Sequence, residues 1–211
     1  MSIQEAASIP CVFLTAWYAL VKLARMHPGE FVLVHAAGSG VDTAAIQIAR
    51  ACGVYVLTSA GSESRVARGL ELGAQGGVNY SNQDVASELQ RLKQGRGVDV
   101  VLDSVGRGHI RTMQALAPGG RVVTIGGPAG TRNIPDPVTL QSRGQSVQAM
   151  GVFDEAAEDI DGGGWARLKA WFEEGTVRPI IDRVLPWTEA DAAQRLLLDR
   201  SVFGKIVLTL D

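Results

Sequence analysis

From residue 31 onward the apolar positions gather into short runs rich in β-branched residues, with longer stretches of helical period between them. The runs are FVLVHA (31–36), VYVLTS (54–59), GVNY (77–80), VDVVLDS (98–104), RVVTIGG (121–127) and SVQAMGVF (146–153). Their apolar character is nearly unbroken by polar alternation, the pattern of strands covered on both faces. Strand and helix in turn predict βαβ units, and so an α/β fold with one parallel, six-stranded, doubly wound sheet. Turn chemistry marks the joints: Pro28-Gly29 before the first run, Gly53 and Gly73 where helices close, and Pro118-Gly119-Gly120 before the fifth run.

Two flanks break this rhythm. The first 27 residues hold an apolar run interrupted by Thr15 and ended by Lys22, shorter than the roughly 20 residues of a membrane span. No basic region precedes it, so it reads as a buried linker helix and not as a signal peptide. After residue 153 come an acidic stretch DEAAEDID, Gly162-Gly163-Gly164, a helix from Trp165 to Glu174, a strand near Pro179, and a last helix and strand ending FGKIVLTLD. The predicted division is therefore 1–27, 28–153 and a C-terminal α/β appendage over 154–211.

Composition narrows the partners. The 211 residues are 46% hydrophobic, and 20 Lys and Arg against 22 Asp and Glu leave a net charge of −2. That is enough apolar material for one sizeable core. No basic footprint points to nucleic acid or an anionic membrane, so a small-molecule partner is expected. Cys11 and Cys52, the two cysteines, lack the spacing of a zinc or redox pair, and a cytoplasmic location is expected.

The first run leads through Ala37-Gly38-Ser39-Gly40-Val41-Asp42 into TAAIQIARACG, a strand, a tight turn and a helix of small and apolar residues. In such a turn small residues let backbone amides approach a pyrophosphate, and the helix N-terminus adds partial positive charge. This makes the sheet Rossmann-type. The strict G-x-G-x-x-G pattern is not met, since Ala37, Ser39 and Asp42 fill its glycine positions, and an ordinary βα turn would also use these glycines. A carboxylate at Asp42 suits the helix dipole but competes with a pyrophosphate for the same positive field. The cost is modest if Asp42 points to solvent and larger if it faces the phosphates.

The second run ends in Ser59-Ala60-Gly61-Ser62-Glu63-Ser64-Arg65, about 20 residues past the loop, where an NAD enzyme places a carboxylate on the ribose 2′-hydroxyl. Ser59 and Ser62 can donate to a 2′-phosphate and Arg65 can pair with it, which favours NADP(H) over NAD(H). Ser62 can equally cap the next helix, and the two roles are compatible.

The blocks AASIPCVFLTAWYAL, PGEFVLVHAAGSGVDTAAIQIARACG, LELGAQGGVNY, GVDVVLDSVG, LAPGGRVVTIG and VFGKIVLTL follow one another from residue 6 to 210. In this order and spacing the chain resembles the medium-chain dehydrogenases and reductases, especially the quinone oxidoreductase and zinc-type alcohol dehydrogenase branch. The resemblance implies Thr15 near the nicotinamide, and Ala37, Gly38, Ser39, Gly40 and Val41 on the pyrophosphate. It implies Ser59, Ser62 and Arg65 at the 2′-phosphate, with Val105 and Gly106 beside the cofactor. Ile125, Gly126 and Gly127 would line the nicotinamide pocket, and Lys205 would lie near the pyrophosphate. No catalytic residue is assigned. Relatives carry a GroES-like β-domain ahead of the block that starts here at residue 6, with most substrate contacts and metal ligands. Apolar residues of 154–211 that pack on it, among them Trp187, Ile206 and Leu208, should therefore lack part of their cover.

Cys11 matches the third catalytic zinc ligand of the alcohol dehydrogenases. Such a metal takes three protein ligands, and neither His27 nor His35 is spaced to join it. A buried cysteine opening a packed helix is expected instead, and no metal. The resemblance implies the cofactor-binding part of an NADPH-dependent oxidoreductase acting on a quinone, enone or carbonyl/alcohol substrate. The alternative is a non-enzymatic NADPH-binding module or sensor subunit; a methyltransferase fits the second strand end less well. Polyketide-synthase enoyl reductases rank lower as a substrate class, because they carry a lysine where this chain reads Ile125-Gly126-Gly127-Pro128. Relatives also dimerise by pairing the strand that matches 146–153, and an apolar edge strand left unpaired is a liability, so a homodimer is expected.

Overall fold

The structure is a computed structural model that describes residues 1–92, 95–105, 113–126, 136–151 and 163–210. Strands β1 (Phe31–Val34), β2 (Tyr55–Ala60), β3 (Gly76–Asn79), β4 (Val98–Asp103), β5 (Leu116–Ile125) and β6 (Ser146–Met150) form one sheet. Every pair is parallel and the order is β3-β2-β1-β4-β5-β6. Successive strands are added leftward from β1 to β3 and rightward from β4 to β6, so the strand order switches between β1 and β4, and in open α/β sheets that switch point opens a crevice at the carboxyl ends of the strands.

Because successive side chains of a strand point to opposite faces, continuous apolar runs feed two cores. Val32, Val34, Val56, Val100 and Leu102 pack on one face, while Leu33, Leu57, Val101 and Val122 pack on the other. Helix α3 (Gly40–Ala51) presses Ala44, Ala45, Ile46, Ile48 and Ala49 fully into the first face. Among the described residues the other sheet helices are α4 (Glu63–Glu71), α5 (Val85–Leu92) and α6 (Pro137–Ser142).

The N-terminal segment is two helices, α1 (Ile3–Ala7) and α2 (Pro10–Trp17), the second continuing as a π-helical turn over Tyr18–Leu23. Helix α2 buries Val12, Phe13, Leu14, Thr15, Ala16 and Trp17, which surround it with packing. On its outer side lies α7 (Gly164–Glu173): Phe13 meets Phe172 edge-on at 4.8 Å and Trp17 meets Trp171 at 5.7 Å. Leu168, Trp171 and Val177 thus belong to the same core as β1 and α3. The tail does not stand apart from the sheet until β7 (Ile181–Pro186), α8 (Ala190–Leu198) and β8 (Lys205–Thr209), where β7 and β8 pair in parallel around the crossover helix.

One expected boundary shifts. Pro118-Gly119-Gly120 does not precede β5 but lies inside it. Leu116 pairs with Val98 and pairing resumes with Arg121 against Val100, so the residues between protrude as an irregularity, helped by Gly119 at φ +73°. Arg121 then forks onto Glu30 (3.0 and 2.7 Å) and donates to the Ala24 carbonyl at 2.6 Å, tying β5 to the segment before β1. Burial would raise the Glu30 carboxyl, but its bonds to Arg121 and the His27 amide hold it below the usual range. No helix among the described residues is long and apolar enough to cross a membrane.

Candidate functional site

A cleft of about 650 Å³ opens at the carboxyl ends of the strands, over the turn between β1 and α3. Three walls enclose it: Cys11 and Thr15 from α2; Ser104, Val105, Ile125 and Gly126 from the ends of β4 and β5; and Arg200, Val202, Gly204 and Lys205 from the return into β8. Arg65 of α4 and Tyr80 after β3 close its far end.

The floor is the glycine turn. Ala36 takes φ +60° to start it, and Ser39 ends it as the N-cap of α3, accepting from the Asp42 amide at 3.2 Å. The first amides of a helix have no intrahelical acceptor, so those of Gly40 and Val41 face the cleft with the positive end of the α3 dipole behind them. Ala37 is fully buried and its amide donates to Ser59 O at 3.0 Å, so it shapes the turn and offers no group to a ligand.

The C-terminal segment sits directly on this turn. Gly204 donates to Gly38 O at 2.8 Å and pairs as a short bridge with Ser39. Only glycine fits there: φ is +100°, and a Cβ would stand 2.3 Å from Ile180 O. Lys205 then crosses over Gly40, where a Cβ would lie 2.6 Å from its Cδ, so the absent side chain at residue 40 admits the lysine stem. Arg65 lies against Gly38 and donates to Val202 O at 3.1 Å, which aligns its guanidinium along the far end of the cleft.

The expected residues do not all meet in the cleft. Gly38, Ser39, Gly40, Val41, Thr15, Arg65, Val105, Ile125, Gly126 and Lys205 line it. Ser59 does not: it is fully buried, and its hydroxyl pairs with His35 Nδ1 at 2.8 Å, because β2 extends one residue past it to Ala60. Ser62 caps α4, accepting from the Arg65 amide at 3.4 Å. The acid in this corner, Glu63, is engaged by Asn79 Nδ2 at 2.8 Å and turned toward β3. Gly106 and Gly127 lie outside the described residues. Cys11, expected to be buried, is exposed on the cleft wall in the first turn of α2; the Thr15 hydroxyl donates to its carbonyl at 2.6 Å. No group of three or more His, Cys, Asp or Glu among the described residues could hold a metal.

Tyr80 and Arg200 line the cleft without having been singled out in the sequence. Tyr80 ended the third run and was read as a strand residue. Arg200, at φ +52° after α8, gave no local signal, because only the return of the chain brings it over the sheet.

Asp42 points neither to solvent nor openly at the cleft. It is fully buried beneath the turn, and its Oδ2 accepts from Ser39 Oγ and, at 2.9 Å, from Ser104 Oγ at the end of β4. Its Oδ1 has no hydrogen-bond partner. Burial pushes the carboxyl up to about 7; the two serine hydroxyls pull the other way, and Asp103 adds to the rise.

Strand order, glycine turn and crevice define a Rossmann-type α/β unit with its ligand cleft at the topological switch point. A family model described as zinc-binding dehydrogenase matches residues 72–208, and the chain belongs to that family, within the medium-chain dehydrogenases and reductases. It is 30% identical over its full length to a quinone oxidoreductase of Sus scrofa, of which it spans 64%. Over 58% of the chain it is 42% identical to a phenolphthiocerol/phthiocerol polyketide synthase subunit of Mycobacterium tuberculosis, covering 6% of that protein. A solved NAD-dependent alcohol dehydrogenase superposes with a TM-score of 0.90 at 37% identity, covering all of this chain and 60% of that one. The chain thus spans less than two thirds of the length of these relatives. Relatives of the family bind a nicotinamide cofactor, and the polyketide synthase match puts that class of enzyme beside the quinone oxidoreductases, where the residues after β5 had ranked it lower.

Proposed function

We propose that this chain is the cofactor-binding part of an NADP(H)-dependent oxidoreductase that reduces a quinone, enone or carbonyl substrate. The observation that carries the reading is the far corner of the cleft, where Arg65 is held in place by Val202 O and Glu63 is drawn away by Asn79. A 2′-phosphate there would meet a fixed guanidinium, while the carboxylate that would hold a free ribose hydroxyl is turned elsewhere. Tyr80 and Arg200 also line the cleft and would add a ring and a second cation to it. The amides of Gly40 and Val41 with Lys205 would hold the pyrophosphate, and Thr15, Val105 and Ile125 would flank the nicotinamide. When bound, that group supplies the hydride; the residues of this chain orient it and screen one side from water.

Calorimetric titration with NADPH and NADH tests the reading. NADPH should bind at least tenfold more tightly, and Arg65→Ala should remove most of that preference while leaving NADH affinity within about threefold. Equal affinities for the two dinucleotides in the native chain would favour an NAD enzyme. The substituted glycine loop favours a second reading, a non-enzymatic NADPH-binding module. NADPH oxidation with a quinone panel separates the two once the parts present in full-length relatives are supplied. We also propose a cytoplasmic location, on the two free thiols of Cys11 and Cys52, and a homodimer through the outer edge of β6, the last strand in the sheet order.

A further inference from the structure

Asp42 stands where the strict dinucleotide motif has glycine, and it is no surface substitution. The side chain is fully buried, in the same first turn of α3 as the amides proposed to hold the pyrophosphate. Ser39, on the cleft floor, both caps α3 and donates to Asp42 Oδ2; Ser104, on the wall at the end of β4, donates to the same oxygen at 2.9 Å. The carboxyl therefore fastens the floor of the cleft to the end of β4, and its other oxygen is buried without a partner. An ionised carboxylate so placed is poorly solvated, and an incoming diphosphate would bring two more negative charges to the same helix N-terminus.

Resting on the reading of the cleft as a dinucleotide site, we propose that Asp42 makes cofactor binding proton-linked. The pyrophosphate is accepted with the Asp42 carboxyl neutral, one proton is taken up as the ligand binds, and affinity falls as the pH rises. The serine hydroxyls hold Asp42 Oδ2 in either protonation state, so the turn keeps its shape and only the charge beneath it changes. The neighbouring groups agree with this. Asp103 of β4 adds negative charge, while Lys205 of β8 lies over Gly40 and Arg65 of α4 against Gly38, both on the ligand side of the turn. Cys11 of α2 opens onto the same cleft, and the His35 ring at the end of β1 is occupied by Ser59. With the free carboxyl at about 7, the change falls within the working range of a cell. The two states differ by a single proton, with no rearrangement of the fold.

NADPH is titrated into the full chain and into Asp42→Asn from pH 6 to pH 9, in paired buffers of different ionisation enthalpy. The comparison cancels protons bound by the ligand itself. In the native chain Kd should rise toward tenfold per pH unit above pH 7, and proton uptake should grow from a small fraction at pH 6 to most of one proton at pH 8. Asp42→Asn should lose this uptake and bind NADPH at pH 8 at least fivefold more tightly than the native chain. Identical pH profiles in the two proteins would overturn the proton linkage and leave the dinucleotide site standing. Failure of both to bind NADPH or NADH at any pH would overturn the site and the linkage together. Should Asp42→Asn fail to fold, the native chain alone decides, because uptake near zero at pH 8 refutes the proposal.

Discussion

Asp42 keeps a proton in the folded chain that the unfolded chain gives up. An exposed aspartate titrates near 3.8, and here the folded value is about 7. Between those two values the folded state binds more protons than the unfolded one, so this residue's contribution to stability is greatest below pH 4, declines as the pH rises to 7, and is level above it. A difference of roughly three pH units corresponds to about 4 kcal/mol. Urea unfolding at pH 5 and pH 8 should therefore show Asp42→Asn gaining on the native chain at the higher pH by up to about 3 kcal/mol, whereas a constant difference would mean that Asp42 is solvated in solution. Gly204 is the residue-scale counterpart on the other side of the cleft. Its left-handed backbone and the 2.3 Å approach of Ile180 O leave no space for a methyl group. Gly204→Ala should cost about 2 kcal/mol or more and weaken NADPH binding as Lys205 is displaced; an unaltered unfolding midpoint would show that the β8 entrance is free to move.

At the scale of elements, α2 and β6 present opposite situations. Helix α2 is apolar on all sides and finds a neighbour on each: α3 inward, α7 outward through the Phe13–Phe172 and Trp17–Trp171 edge contacts. Among the described residues strand β6 pairs with β5 alone, and it ends the sheet with the parallel pairing Val147 to Val122 and Met150 to Ile125. An outer edge at the end of a sheet offers backbone groups that a second copy can pair with across a two-fold axis. Light scattering after gel filtration should give a mass near twice the 22.3 kDa of the chain, and Gln148→Pro, which removes a donor from that strand, should shift the population toward monomer. A native chain that stays monomeric at tens of micromolar would count against pairing through β6.

Across the whole molecule, apolar surface is unevenly distributed. The six-stranded sheet is well covered, while Trp187 is 57% and Leu198 81% exposed in the β7, α8 and β8 unit, with Leu208 and Val184 open beside them. The uncovered cluster matches the expectation for Trp187 and Leu208; Ile206 is half-buried at the cleft wall. The same unit supplies Arg200, Val202, Gly204 and Lys205 to the cleft. One short segment thus both completes the cleft and carries exposed apolar residues. Its position depends on the Gly204 to Gly38 and Lys205 to Ile180 backbone bonds.

By itself the sequence determined the sheet. Unbroken β-branched runs bounded by Gly and Pro can be satisfied only where both faces are covered, so six parallel strands, the glycine turn and the capping serine at 62 were legible from local composition, while the cap at Ser39 was not. Pro118-Gly119-Gly120 misled, because a turn signal and a strand irregularity use the same residues; only pairing with β4 distinguishes them. Tertiary structure alone decided three things about the cleft. It buried Ser59 against His35, a contact between residues on neighbouring strands that no local pattern encodes. It brought Arg200 and Gly204 over the turn from more than 150 positions away. It also chose between the two readings of Asp42 by offering a third: whether a carboxyl meets solvent or phosphate depends on what folds over it, and here Ser104 and the end of β4 do.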